Sequence, residues 1–122
     1  MTTAEIATTL VELCRQGEFE KATNALYSPD IVSVEAFSMN NMPRQTNGLD
    51  GVLKKGQWWT SNHTVHAITV TGPFVALDKF AVVFDMDITN KPTGKRMKMT
   101  EVAVYTVTDG KIVHEEFLYQ AP

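Results

Sequence analysis

Lys79-Phe-Ala-Val-Val-Phe-Asp-Met-Asp-Ile-Thr-Asn90, Met97-Lys-Met-Thr-Glu-Val-Ala-Val-Tyr-Thr-Val107 and Ile112-Val-His-Glu-Glu-Phe-Leu-Tyr119 decide the fold. Each run is rich in β-branched and aromatic residues. Lys91-Pro-Thr-Gly-Lys-Arg96 and Thr108-Asp-Gly-Lys111, which separate them, carry turn signals, so the spacing predicts an antiparallel meander. Four carboxylates, Asp85, Asp87, Glu101 and Glu115, lie inside the runs rather than in the turns. Acidic side chains are depleted from strand interiors, which makes these four the first functional candidates.

Upstream the signals are helical. Thr2 and Glu5 have capping-box spacing, and Ile6, Leu10, Leu13 and Cys14 follow at helical intervals up to Gly17. Glu18–Tyr27 reads as a second helix, stopped by Ser28-Pro29-Asp30. Ile31–Phe37 is strand-like, and Ser38–Asn47 reads as a loop long enough to form part of a pocket mouth. Gly48–Trp59 reads as a third helix weakened by Gly51 and Gly56. His63–Thr71 is a strand, and Gly72-Pro73 signals a turn into the meander. Helices followed by a run of strands give an α+β layer fold.

With 122 residues the chain has room for one domain. A net charge of -3 argues against a nucleic-acid partner, which needs a basic stripe. The apolar runs fall short of the roughly 20 residues that span a bilayer, so no membrane partner is expected. The N-terminus lacks the pattern of a signal peptide, and the single cysteine, Cys14, permits a reducing compartment. A cytoplasmic location is the expectation.

The features run from end to end in a recognisable order. They are the paired helices ending in Leu26-Tyr-Ser-Pro-Asp30, the Val34-Glu35 strand, the Gly48-Leu-Asp-Gly-Val52 helix, the Gly72-Pro73 turn, and Asp109-Gly-Lys-Ile-Val113 before the last strand. On these, and on Asp87, Glu101, Tyr105, Glu115 and Tyr119 in the meander, the whole chain resembles the nuclear transport factor two-like superfamily and its SnoaL-like proteins. The resemblance implies a single domain over residues 1–122, with a cone-shaped, strongly curved, mostly antiparallel sheet wrapped around the N-terminal helices. It also implies a pocket at the open end of the cone. Enzymes of this superfamily share acid–base chemistry in an apolar pocket, usually without a cofactor, while other members are ligand carriers, so fold alone does not select a function. Carried over residue by residue, the general base of ketosteroid isomerases falls on Glu35 and their acidic oxyanion donor on Glu101. Their oxyanion tyrosine falls near Leu10, which cannot donate, and the aspartate of SnoaL-type cyclases falls at Phe117.

Strand alternation tests the carboxylates separately. A three-residue Thr108–Gly110 loop with a bulge at Gly110 pairs Val107 with Lys111. It puts Glu101, Ala103, Tyr105, Val113, Glu115, Phe117 and Tyr119 on one face. Glu101 and Glu115 are then diagonal neighbours, with β-carbons about 7 Å apart. A two-residue Asp109-Gly110 turn sends them to opposite faces; the resemblance favours the bulge. Two acids that close under apolar walls cannot both ionise easily, which creates an acid beside a base.

The expected site therefore has Glu35, Glu101 and Glu115 as acid and base groups. Trp59, His66, Asp87, Tyr105, Phe117 and Tyr119 are expected around the substrate, with Met97 and Met99 as adaptable walls. His66 is included because it shares a face with Ile68 and Val70, and Asp87 by resemblance. No metal or cofactor motif is present. The expected substrate is a small, largely apolar carbonyl or hydroxyl compound. Two other readings stand beside catalysis: a non-catalytic binder using the same pocket, or a structural module. Val102, Val104, Ile112 and Leu118 form an apolar outer face suited to a homodimer through the sheet. Catalysis calls for a roomy cavity in which the carboxylates converge.

Overall fold

The computed structural model describes residues 1–38 and 41–121. Met39 and Asn40, within the expected pocket-mouth loop, lie outside the described residues, as does Pro122. The elements run α1 (Thr3–Arg15), α2 (Phe19–Leu26), β1 (Tyr27–Val34), β2 (Gln45–Asn47), α3 (Leu49–Asn62), β3 (His63–Ala76), β4 (Lys79–Asn90), β5 (Lys95–Thr108) and β6 (Lys111–Leu118). The strands form one six-stranded sheet in the order β2-β1-β6-β5-β4-β3, which is not closed into a barrel. Only β1 against β6 is parallel; the other neighbours are antiparallel. Among the described residues, no helix is long and apolar enough to cross a membrane.

Local chemistry explains the helix ends. The Thr2 hydroxyl accepts from the Glu5 amide at 3.1 Å while the Glu5 carboxylate accepts from the Thr2 amide at 2.8 Å, completing the capping box that opens α1. Gly17 at φ 75° closes it, with the Glu18 amide donating back to the Leu13 carbonyl at 2.9 Å. Ile6, Leu10 and Val11 of α1 then pack against the inner face of the sheet, where Phe80, Val82, Ala103 and Ile112 are buried. Phe80 stacks on Tyr105 with ring centroids 4.7 Å apart.

Four expectations change. The second helix ends at Leu26, and Tyr27 already begins β1, which passes through Pro29 by an irregularity in its pairing with β6. A short strand, β2, occupies the end of the expected loop. Gly72-Pro73 makes no turn between strands; it is absorbed as a bulge in one continuous β3, where the register shifts between Thr71 and Phe74. Ile112, expected on the outer face, is fully buried in the core and pairs with Val107.

The β5–β6 turn combines both sequence alternatives. Thr108 pairs with Lys111, so the turn is the two-residue Asp109-Gly110, with φ of 51° and 73°. A bulge then leaves Val113 without a partner, since Val107 pairs with Ile112 but Thr106 with His114. That extra residue reverses the alternation. Glu115 consequently sits opposite Tyr105 and Phe117 opposite Ala103, two positions from the predicted register but on the predicted face. Replacing Phe80 by alanine removes the ring that spans the core and stacks on Tyr105. We expect a loss of about 3–5 kcal/mol in stability, measured by urea denaturation.

Candidate functional site

Glu115 is 2% exposed, and the inner row that contains it explains how an acid survives there. Ser33 faces it across the parallel β1–β6 pair, Tyr105 across β5–β6, and Tyr27 begins β1. The Tyr27 hydroxyl donates to Glu115 Oε1 and the Ser33 hydroxyl to Glu115 Oε2, the latter at 2.7 Å. Each oxygen of the buried carboxyl thus has a donor. Burial pushes the Glu115 carboxyl up, while the two hydroxyls and the Lys55 ammonium pull it back.

Lys55 comes from α3, on the turn after buried Val52. Its Nζ donates to Ser33 Oγ at 2.6 Å, lies 3.9 Å from Glu35 Oε2, and stands 5.5 Å from the centroid of the Phe117 ring. Gly51, one turn earlier on the same face, lets the helix sit close. A β-carbon there would meet the Thr46 methyl at 2.9 Å.

Glu35 follows β1. Its amide donates to the Arg44 carbonyl at 2.7 Å, and the Arg44 guanidinium returns a bond to the Glu35 carbonyl at 2.9 Å. The backbone is therefore pinned while the carboxylate is not: among the described residues no donor comes within hydrogen-bond reach of the buried Glu35 Oε2. Burial raises the Glu35 carboxyl and the Lys55 charge opposes that rise. Glu101 pairs with Phe84 on the inner face. Burial, then the charges of Glu35 and Glu115, push it up to about 8, so it holds a proton at neutral pH. Tyr119 is half-buried, packs edge-on against Phe37 at 5.2 Å between centroids, and is pushed up to about 12, by burial first and then by Glu35 and Glu101. Cys14, also pushed to about 12 by burial, is a small core residue and not a thiolate.

The fold thus gathers Glu35, Glu101, Glu115, Tyr105, Phe117 and Tyr119. It leaves three expected pocket residues elsewhere. Trp59 stacks on His63 at the end of α3, with centroids 4.4 Å apart. His66 is the unpaired residue of a bulge between Val65 and Ala67, so it loses the alternation that linked it to Ile68. It is exposed, with its ring bonded to the Thr89 hydroxyl at 2.7 Å. Asp87 lies on the opposite face in a two-bond pair with Arg96, both contacts at 3.0 Å. The sequence reading missed Lys55, Ser33 and Tyr27. A signal existed for Lys55, which falls between Val52 and Trp59 on the helical stripe.

The roomy cavity expected over the carboxylates does not coincide with either of two concavities on the surface. One, of about 70 Å³, lies between α2 and α3 beside Phe19 and Gln57. The other, about 330 Å³ and shallow, surrounds Gly48. Solvent meets the acid cluster at Glu35, whose side chain is 28% exposed. Among the described residues no group of three or more histidine, cysteine, aspartate or glutamate side chains is placed to hold a metal ion.

The raised Glu101 carboxyl gives a signed pH dependence. The folded protein holds that proton more tightly than the unfolded chain, so Glu101 contributes stability below the ordinary carboxylate range. The contribution is lost as pH rises through about 8. We expect Tm to fall by several degrees between pH 6 and pH 9. Glu101→Gln, which imitates the protonated acid, should flatten that fall in a thermal-unfolding series.

Comparison with known proteins places the chain in a family. A candidate SnoaL-like polyketide cyclase from Mesorhizobium loti, also labelled a carbohydrate phosphatase, is 43% identical. It superposes with a TM-score of 0.92 over 98% of this chain and 100% of its own. A candidate isomerase from Bacillus subtilis shares the fold at 15% identity, with a TM-score of 0.81 over 98% and 90% of the two chains. A protein of unknown function with a cystatin-like fold from Xanthomonas campestris does so at 16% identity, with a TM-score of 0.79 over 99% and 92%. No functionally curated protein matches. The sequence model of the SnoaL-like domain covers residues 1–119, and the chain belongs to the SnoaL-like domain family.

Proposed function

We propose that the chain is a cofactor-independent acid–base catalyst that moves a proton next to the carbonyl of a small, largely uncharged compound. One observation carries the reading: a buried carboxylate oxygen, Glu35 Oε2, lacks a protein donor while a protonated acid, Glu101, couples to it. A buried oxygen with a 3.9 Å ion pair to Lys55 but no hydrogen-bond donor is poorly satisfied, which costs a purely structural cluster free energy. A base needs such an oxygen. In this reading Glu35 removes a proton α to the carbonyl, and the electron pair moves onto the carbonyl oxygen. Glu101 donates a hydrogen bond or its proton to that oxygen. Return of the proton to a different carbon gives isomerisation; its transfer to a β-hydroxyl, which departs as water as the enol electron pair forms the carbon–carbon double bond, gives dehydration. The names of the Mesorhizobium loti and Bacillus subtilis proteins, cyclase and isomerase, are compatible with this chemistry.

Glu115 takes a different part from the one expected of it. With both oxygens occupied by Tyr27 and Ser33, it anchors the cluster and leaves proton transfer to Glu35 and Glu101. Tyr105 and Phe117 wall the site. Neither of the two concavities described above opens onto the acids, and in this reading the substrate reaches them from the exposed side of Glu35.

A solvent-exchange assay tests the proposal. In deuterated water, a ketone chosen because it raises Tm in a thermal-shift screen should acquire deuterium α to its carbonyl in the presence of the protein. Glu35→Gln should slow this by about 10²–10⁴-fold. Binding without exchange would instead establish a carrier.

The same proposal includes a homodimer and a cytoplasmic location. Phe74 and Leu118, 56% and 46% exposed, flank the half-buried Val83, Val102 and Val104 on the outer face, a self-complementary surface for a second copy. Light scattering should give twice the chain mass, and Val104→Lys should return it to one chain mass.

A further inference from the structure

We propose that Lys55 is a positioning residue for the base Glu35, its ammonium fixed on the Ser33 hydroxyl and turned toward the otherwise unpartnered Glu35 Oε2. The inference rests on the reading of Glu35 as base and goes further, by assigning what determines which acid gives up its proton.

The geometry separates two duties of one ammonium. Its hydrogen bond at 2.6 Å goes to Ser33, whose own proton is committed to Glu115 at 2.7 Å. The hydroxyl is therefore polarised toward Glu115, and its lone pair receives the ammonium. At 3.9 Å, Glu35 Oε2 is too far for a hydrogen bond but well within the range at which an opposite charge favours ionisation. The ammonium thus opposes the upward push that burial exerts on this carboxyl, without capping its oxygen. A direct hydrogen bond would stabilise the Glu35 carboxylate and blunt it as a base; without the ammonium, burial would act on it unopposed. The Lys55 side chain is only 13% exposed, so water screens this charge weakly.

The other charged and titratable groups facing Glu35 do not substitute. From β5 comes Glu101 and from β6 Glu115, acids that supply no positive charge to favour its ionisation. Tyr119 beyond β6 is a neutral hydroxyl at ordinary pH. Arg44, ahead of β2, spends its guanidinium on the Glu35 carbonyl and on Glu116 at 3.9 Å. Lys55 is thus the cation that serves this carboxylate among the described residues.

Carbon-13 NMR of glutamate-labelled protein reads the result directly. In Lys55→Met, with folding checked by near-ultraviolet circular dichroism, the titration midpoint of the Glu35 carboxyl should rise by about one pH unit or more. In the unsubstituted protein, the Lys55 ζ-nitrogen resonance should inflect at the Glu35 midpoint. A Glu35 midpoint that stays put in folded Lys55→Met overturns the proposal, as does a Lys55 resonance that passes through the Glu35 titration unchanged. If Lys55→Met does not fold, the resonance of the unsubstituted protein decides alone. Neither measurement involves turnover. An inactive protein with a shifted Glu35 midpoint would remove the catalytic reading and leave the linkage between Lys55 and Glu35 standing.

Discussion

A carboxylate withdrawn from water must find donors, find a cation or keep its proton, and this one constraint shapes the interior of the protein. The three glutamates illustrate the three outcomes. Glu115 is satisfied by two hydroxyls, Glu35 leans on an ammonium, and Glu101 retains a proton. No two solve the problem alike, and the differences arise because the donors come from different elements. Tyr27 and Ser33 belong to β1, whereas Lys55 belongs to α3. The parallel pairing of β1 with β6 then acquires a reason beyond hydrogen bonding. It is the contact that sets Ser33 opposite Glu115 and carries Glu35, two residues on, to the edge of the buried zone.

The apolar surroundings make these assignments stick. Phe84 opposite Glu101, and Phe80 stacked on Tyr105, exclude water on the sheet side. In a wet site the same acids would differ little in proton affinity. Here burial raises all three carboxyls while the ammonium and the hydroxyls pull Glu35 and Glu115 back, and neighbouring acids of unequal proton affinity can act as proton donor and acceptor.

Much of this was legible in the sequence where periodicity was uninterrupted. The capping box at Thr2 and Glu5, the stripe of Ile6, Leu10 and Cys14, and the long β4 and β5 strands all follow from local rules. The failures cluster where one residue breaks the period. His66 could not be placed because a bulge removes it from the alternation, and Gly72-Pro73 reads as a turn although pairing on both sides continues through it. Lys55 was hidden for another reason. Its place on the helical stripe says nothing of a carboxylate until the tertiary approach of α3 to β1, allowed by the bare α-carbon of Gly51, brings it to Ser33. Ser33 and Tyr27 are small signals of the same kind, since a hydroxyl in a strand announces nothing until its acid is placed opposite. The orientation of Glu115 was foreseen by way of the wrong turn.

Val113 explains that last result and has a wider consequence. Because it stands unpaired, Thr106–His114 and Tyr105–Glu115 would keep the same partners in a chain that lacked it, with the ladder merely becoming regular. Hairpin length and acid orientation are therefore independent variables in this architecture. The tip at Asp109-Gly110 can gain or shed a residue at the bulge while the interior chemistry keeps its phase, much as a slack link lets one end of a belt move without turning the wheel.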